Sequence, residues 1–163
     1  MRLVGLPGLA LVLFTACGGP SFDGQVFRSG DVSFRVGPVP ESWRTIEATG
    51  ALLAFRDDEA AATVALNGRC GLDGDDVPLE ALTHHLFLQF TRRELVSQER
   101  VDLDGRAALR TEMLAELDGV KKRYVVYVLK KDGCVYDFLY VSPEQAGGKD
   151  AFERFVRGFG TLT

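Results

Sequence analysis

The chain has few of the residues that most often carry chemistry: two histidines, three cysteines and one tryptophan among 163 residues. His84 and His85 are adjacent, so on a helix they point about 100° apart and cannot share a metal-binding face. No nucleophile elbow, zincin, Walker or dinucleotide-binding motif occurs. Positive charge is not in excess: 19 Lys and Arg stand against 23 Asp and Glu, for a formal net charge of −4. That balance gives no electrostatic footprint for nucleic acid. The N-terminal apolar stretch, Leu3 to Ala16, is too short for a spanning helix, which needs about 20 residues. Gly5, Pro7 and Gly8 weaken it further as a helix. These absences point to a non-enzymatic chain with neither cofactor nor metal.

What the N-terminus does contain is a charged start, Met1-Arg2, a short apolar run and small residues before Cys17. That layout describes a secretory signal. The alternatives are an ordinary cleaved signal with an incidental cysteine, or the lipobox of bacterial lipoproteins, which Thr15-Ala16-Cys17 resembles. The usual lipobox leucine stands one step early, at Leu13, with Phe14 in its place. The resemblance implies residues 1–16 as signal peptide, acylation of Cys17 and residues 17–24 as a lipidated tether. Residues 25–163 then form a single globular domain of ordinary composition. Gly18 follows the cysteine where inner-membrane lipoproteins commonly carry Asp, so the resemblance favours the outer membrane and a periplasm-facing domain.

With Cys17 assigned to lipid, Cys70 and Cys134 remain. Outside the cytoplasm they can persist as a disulfide, and their spacing matches no zinc or redox motif. Two separate buried thiols are the alternative.

The second half of the chain is punctuated by Asp104-Gly105, Asp118-Gly119 and Asp132-Gly133, each between apolar runs. Asp-Gly supplies the positive φ that primed hairpin turns require. Strands are therefore expected over Ser97–Leu103, Arg106–Leu117, Val120–Lys130 and Cys134–Ser142, as an antiparallel meander. In the second, Leu109, Met113 and Ala115 share one face, with Arg110, Glu112 and Glu116 on the other. The third and fourth are apolar on both faces, which predicts cover on both sides of the sheet.

Leu79, Leu82, Leu86 and Phe90 follow Pro78 at helical spacing, and Phe152, Phe155, Val156 and Phe159 form a second stripe. Ser142-Pro143-Glu144-Gln145 reads as a capping box ahead of that second helix. Gln25–Arg28, Val32–Val36, Leu52–Arg56 and Ala60–Asn67 read as further strands. The fold class expected is α+β: an antiparallel sheet of about six or seven strands with helices on both faces.

Val32-Ser33-Phe34 leads into Pro40-Glu41-Ser42-Trp43, followed by Val101-Asp102-Leu103-Asp104-Gly105-Arg106-Ala107. Cys134-Val135-Tyr136-Asp137-Phe138-Leu139-Tyr140 and the Phe152–Phe159 stripe complete an order that resembles the PsbP/Mog/DcrB-like α/β/α sandwiches. The resemblance covers roughly Val32 to Leu162. It implies a mostly non-enzymatic superfamily whose members bind protein partners, stabilise assemblies or act as small envelope lipoproteins. An unidentified envelope protein is therefore the expected partner, beside the membrane itself. A small-ligand or lipid site between the sheet and the Pro78–Phe90 helix is the alternative.

Other constellations read as structural. Asp73-Gly74-Asp75-Asp76 lacks the terminal Glu of a calcium loop and suits a helix N-terminus. Lys121-Lys122-Arg123 and Lys130-Lys131 bracket one strand as charged ends. Tyr124, Tyr127, Tyr136, Tyr140 and Trp43 read as core, and Asp102 and Asp104 as strand-end and turn residues.

Overall fold

The computed structural model describes residues 19–30, 32–71 and 77–162. Cys17 and the Asp73–Asp76 loop lie outside these described residues.

The meander is present and forms four of the seven strands of the main sheet. β7 (Thr91–Leu103), β8 (Arg106–Leu117), β9 (Val120–Lys131) and β10 (Cys134–Ser142) follow in antiparallel order. They are preceded by β1 (Ser21–Phe22), β2 (Val26–Ser29), β3 (Val32–Arg35), β4 (Trp43–Thr45), β5 (Leu53–Asp57), β6 (Ala62–Cys70) and α1 (Leu79–Leu86). After them come α2 (Lys149–Arg157) and β11 (Gly160–Thr161). The turn aspartates Asp104, Asp118 and Asp132 take φ of 53°, 53° and 51°, each followed by a left-handed glycine. These are the primed turns that the Asp-Gly pairs demand.

The seven-stranded sheet runs β4-β5-β6-β10-β9-β8-β7, and a small sheet runs β1-β2-β3-β11. β10 sits beside β6 because the chain passes from β6 through α1 to the far edge at β7 and the meander then steps back across the sheet, pairing Cys134 directly with Cys70. That register forms the Cys70–Cys134 disulfide, with Cα atoms 4.0 Å apart.

Side-chain alternation sorts the core onto two faces. Val125, Tyr127 and Leu129 of β9, with Tyr136, Phe138 and Tyr140 of β10, meet Phe152, Phe155 and Phe159 and the small sheet. Tyr124, Val126 and Val128, with Val135 of β10, face α1 through Leu79, Leu82, Leu86 and Phe87. Both faces of β9 and β10 are thus covered, as their unbroken apolar runs require.

α2 is fixed by close backbone approach. Gly37 N–H donates to Phe155 O at 2.8 Å. A Cβ on Gly158 would lie 2.3 Å from the Gly37 Cα, and one on Gly37 would lie 2.1 Å from Arg154 O. Only glycine fits at either position.

Several expectations are corrected. Ser142 ends β10 and its hydroxyl donates to Pro143 O, so it caps no helix. The helix starts at Lys149, after a left-handed Gly148. The Tyr140 hydroxyl donates to Gly147 O, tying the intervening turn to the sheet. α1 ends at Leu86, so Phe90 packs on Tyr124 from the loop beyond it. β7 begins at Thr91, ahead of the expected Ser97. Strand pairing begins at Ser21, inside the segment read as tether.

Candidate functional site

β7 is an outer strand of the sheet, is 13 residues long and, among the described residues, pairs only with β8. Its side chains are exposed from Thr91 to Val96 and mostly exposed beyond. Irregularities interrupt the β7–β8 pairing between Thr91 and Glu94 and between Leu95 and Ser97, and Arg92 takes φ 46°. The second bulge leaves Val96 without a paired residue, so Leu95 and Gln98 share the α1 face, while Ser97, Glu99 and Val101 share the α2 face. β7 thereby forms a wall of two hollows, one on each side of the sheet.

On the α2 face lies a groove of about 360 Å³, lined by Val101, Leu103, Tyr127 and Val156, with Glu99, Asp102, Arg110, Glu153 and Arg157 around them. Arg110 is 8% exposed and anchors an ion-pair network. Its guanidinium donates to Glu153 Oε1 at 2.8 Å, Glu112 Oε2 at 3.1 Å and Ser97 Oγ at 3.2 Å. It also lies 5.9 Å from the centroid of the Tyr127 ring. Glu112 is bound in turn by Arg123 and by Lys149, whose Nζ is 3.2 Å away. Burial works against the Arg110 charge, but the bonds to Glu153 and Glu112 reverse that and raise its pKa. Burial also pushes the Glu112 carboxyl up, yet hydrogen bonds from Arg110, Lys149 and Arg123 prevail and hold it below its ordinary value. Both groups are locked in their charged forms, which suits a structural clamp and not proton transfer near neutral pH.

On the α1 face lies a smaller hollow of about 230 Å³, lined by Phe87, Leu95 and Met113, with Thr83, Arg93 and Gln98 among its polar groups. Thr83 is 2% exposed, and its hydroxyl has no hydrogen-bond partner among the described residues. This is the space expected between the sheet and the Pro78–Phe90 segment. It is smaller than ordinary small-ligand sites, which start at about 300 Å³.

No family model matches the chain, and no curated protein matches it in sequence. Solved structures do match in shape. Cyanobacterial PsbP (CyanoP) from Synechocystis superposes with a TM-score of 0.59 at 16% identity, covering 91% of this chain and 99% of its own. LpqN of Mycobacterium tuberculosis, described as involved in cell envelope biogenesis, gives 0.56 at 14%, covering 88% and 90%. A Bacteroides thetaiotaomicron protein gives 0.57 at 12%, and this chain spans 45% of its length. The fold is PsbP-like.

Within this PsbP-like domain the residues singled out from the sequence fall mostly into structural roles. Tyr124, Tyr127, Tyr136, Tyr140 and Trp43 are all buried, and Trp43 Nε1 donates to Asp57 Oδ2 at 3.2 Å. His84 and His85 sit exposed in the last turn of α1. Among the described residues, no His, Cys, Asp and Glu group is arranged to hold a metal ion. The basic clusters flanking β9 are drawn into pairs: Lys121 with Glu144, Arg123 with Glu112 and Lys131 with Asp104. Asp104 also accepts from Thr161 N at 2.9 Å, fastening β11 to the first hairpin turn. Sequence reasoning had Arg110 and Glu112 on one strand face but missed their clamp. Their partners Lys149 and Glu153 come from α2, far away in the chain, and only the packed fold joins them.

Proposed function

We propose that the chain is a non-catalytic, lipid-anchored envelope module that docks a protein partner through the outer edge of its sheet. The observation that carries the reading is β7, a long edge strand left open and exposed while the other outer strand, β4, has three residues. An open strand edge of this length is a template for pairing with another chain. Leu95 and Val96 are about half exposed on the same strand and add apolar area to that edge. The charged clamp beside it supports a binding role, because its groups are committed to one another. The lipobox resemblance at Cys17 supplies the membrane attachment, and Gly18 favours the outer membrane. LpqN's described link to cell envelope biogenesis is consistent with an envelope setting.

The test is affinity capture from native membranes with the full chain and with Cys17→Ser. The full chain is expected in the membrane fraction with one reproducible partner, and Cys17→Ser in the soluble fraction with its fold intact. A chain that stays membrane-bound after Cys17→Ser contradicts the anchor. Failure to recover a reproducible partner contradicts the docking role.

A further inference from the structure

We propose that the Ser97–Leu103 half of β7 accepts an extended segment of the partner as an added antiparallel strand. That segment would place an apolar side chain in the α1-side hollow and a basic side chain over Glu99 on the α2 side. The inference rests on the partner-docking reading and names the chemistry of its partner.

Three observations converge on this half of the strand. The first is backbone availability. Asp104-Gly105 is a two-residue turn, so Leu103 and Arg106 form its hydrogen-bonded closing pair. Antiparallel alternation then directs the N–H and C=O groups of Asp102, Arg100 and Gln98 away from β8, towards the open side. The bulges and the left-handed Arg92 lie in the other half of the strand, where they oppose regular pairing. The available template is therefore short and fixed in register.

The second observation is the pair of hollows on opposite faces of the same strand. A strand added at an edge sends alternate side chains to opposite faces, and pockets there give such complexes their specificity. α1 packs on β8 and β9, leaving the α1 face of β7 open at Leu95 and Gln98. The hollow of about 230 Å³ beside them suits one large side chain better than a whole ligand.

The third is charge. The α2-side groove has two carboxylates, Glu99 and Glu153, against the guanidiniums of Arg110 and Arg157. Arg110 is committed to Glu112 and Glu153, and Arg157 lies 3.8 Å from Glu153. Glu99 is the loosely held carboxylate: its side chain is 59% exposed and it is 3.7 Å from Arg110. A basic side chain entering over Tyr127 and Val101 meets that charge on an apolar floor. The mixed charges along the edge also oppose indiscriminate pairing, which favours a selective template over a sticky one.

The test pans random 12-residue peptides displayed on phage against the purified Cys17→Ser chain. Selected peptides are expected to carry an apolar and a basic residue at odd spacing. Their affinity should fall at least tenfold for Arg100→Pro, which removes one outward N–H, and much less for Arg100→Ala, which loses the same side chain and its 2.7 Å ion pair to Glu80 but keeps the N–H. Glu99→Lys should abolish the preference for the basic residue, and it stands as the second probe if Arg100→Pro melts early. Panning that yields no binder overturns the inference, as do binders that ignore Glu99→Lys or that bind a folded Arg100→Pro as tightly as Arg100→Ala. A partner recovered from native membranes alongside such a failure would leave docking intact and place it elsewhere on the surface.

Discussion

Glu112 is held by three cations, and Asp137 by one, and the two carboxylates respond to pH in opposite senses. Removing the Glu112 charge leaves the buried Arg110 facing the partly exposed Arg123 and Lys149 without the carboxylate between them. Glu112→Gln is expected to cost about 3 kcal/mol, the low end for breaking a buried pair, because Glu153 still holds Arg110. A urea midpoint unchanged from the parent would contradict the clamp. The folded pKa of Glu112 is lowered, so its contribution is present above the ordinary glutamate value and is lost as pH falls below it. Asp137 is 1% exposed on the α1 face of β10, and Arg69 Nη2 lies 2.9 Å from it without a well-aligned hydrogen bond. Burial raises its pKa, and the Arg69 charge only partly offsets this. The stability it gives is therefore complete below the unfolded value and is lost as pH rises through the folded one. Melting of Asp137→Asn against the parent should shift in favour of the variant between pH 3.5 and 7. A difference that does not change with pH would contradict the raised pKa.

Among elements, the hairpins and the apolar stripe of the second helix were the legible part, and the start of that helix the misread one. Asp-Gly pairs act through local φ, so the bounds of β8 and β10 follow from neighbouring residues alone. The start of α2 depends on the Gly147-Gly148 turn and its tie to Tyr140, contacts that close only when β10 lies beside the turn. β4 and β11 escaped the sequence reading because they have three and two residues and exist through their partners. Docking of α2 rests on the Gly37–Gly158 approach, so Gly158→Ala should cost about 1–3 kcal/mol through backbone displacement. A melting temperature equal to the parent's would refute that close fit. The disulfide joins β6 to β10 across a sequence separation of 64. In the chain-entropy account, its loss through Cys70→Ser with Cys134→Ser should cost up to about 4 kcal/mol. Thiol titration of the unreduced, denatured Cys17→Ser chain should find no free thiol, and two free thiols would contradict the bridge.

At the scale of the molecule, α1 covers one face of the sheet, while α2 and the small sheet cover the other. This cover is centred on β9 and β10 and thins towards β7. Periodicity revealed the doubly buried centre, since unbroken apolar runs need cover on both sides. It did not reveal the open edge: Ser97–Leu103 reads as a strand, but its mixed sequence is the same for a solvated strand and a docking strand. Only sheet order places Ser97–Leu103 outermost. The proposed anchor is read from local text at Cys17, whereas the surface it would present is a product of the whole fold. The most direct measurement places a photo-cross-linking residue in turn at Glu99, Val101 and, as a control away from β7, Glu47, in cells making the full chain. A discrete adduct from the β7 positions and none from Glu47 is the predicted result. No adduct from β7, or the same adducts from all three positions, would contradict the account.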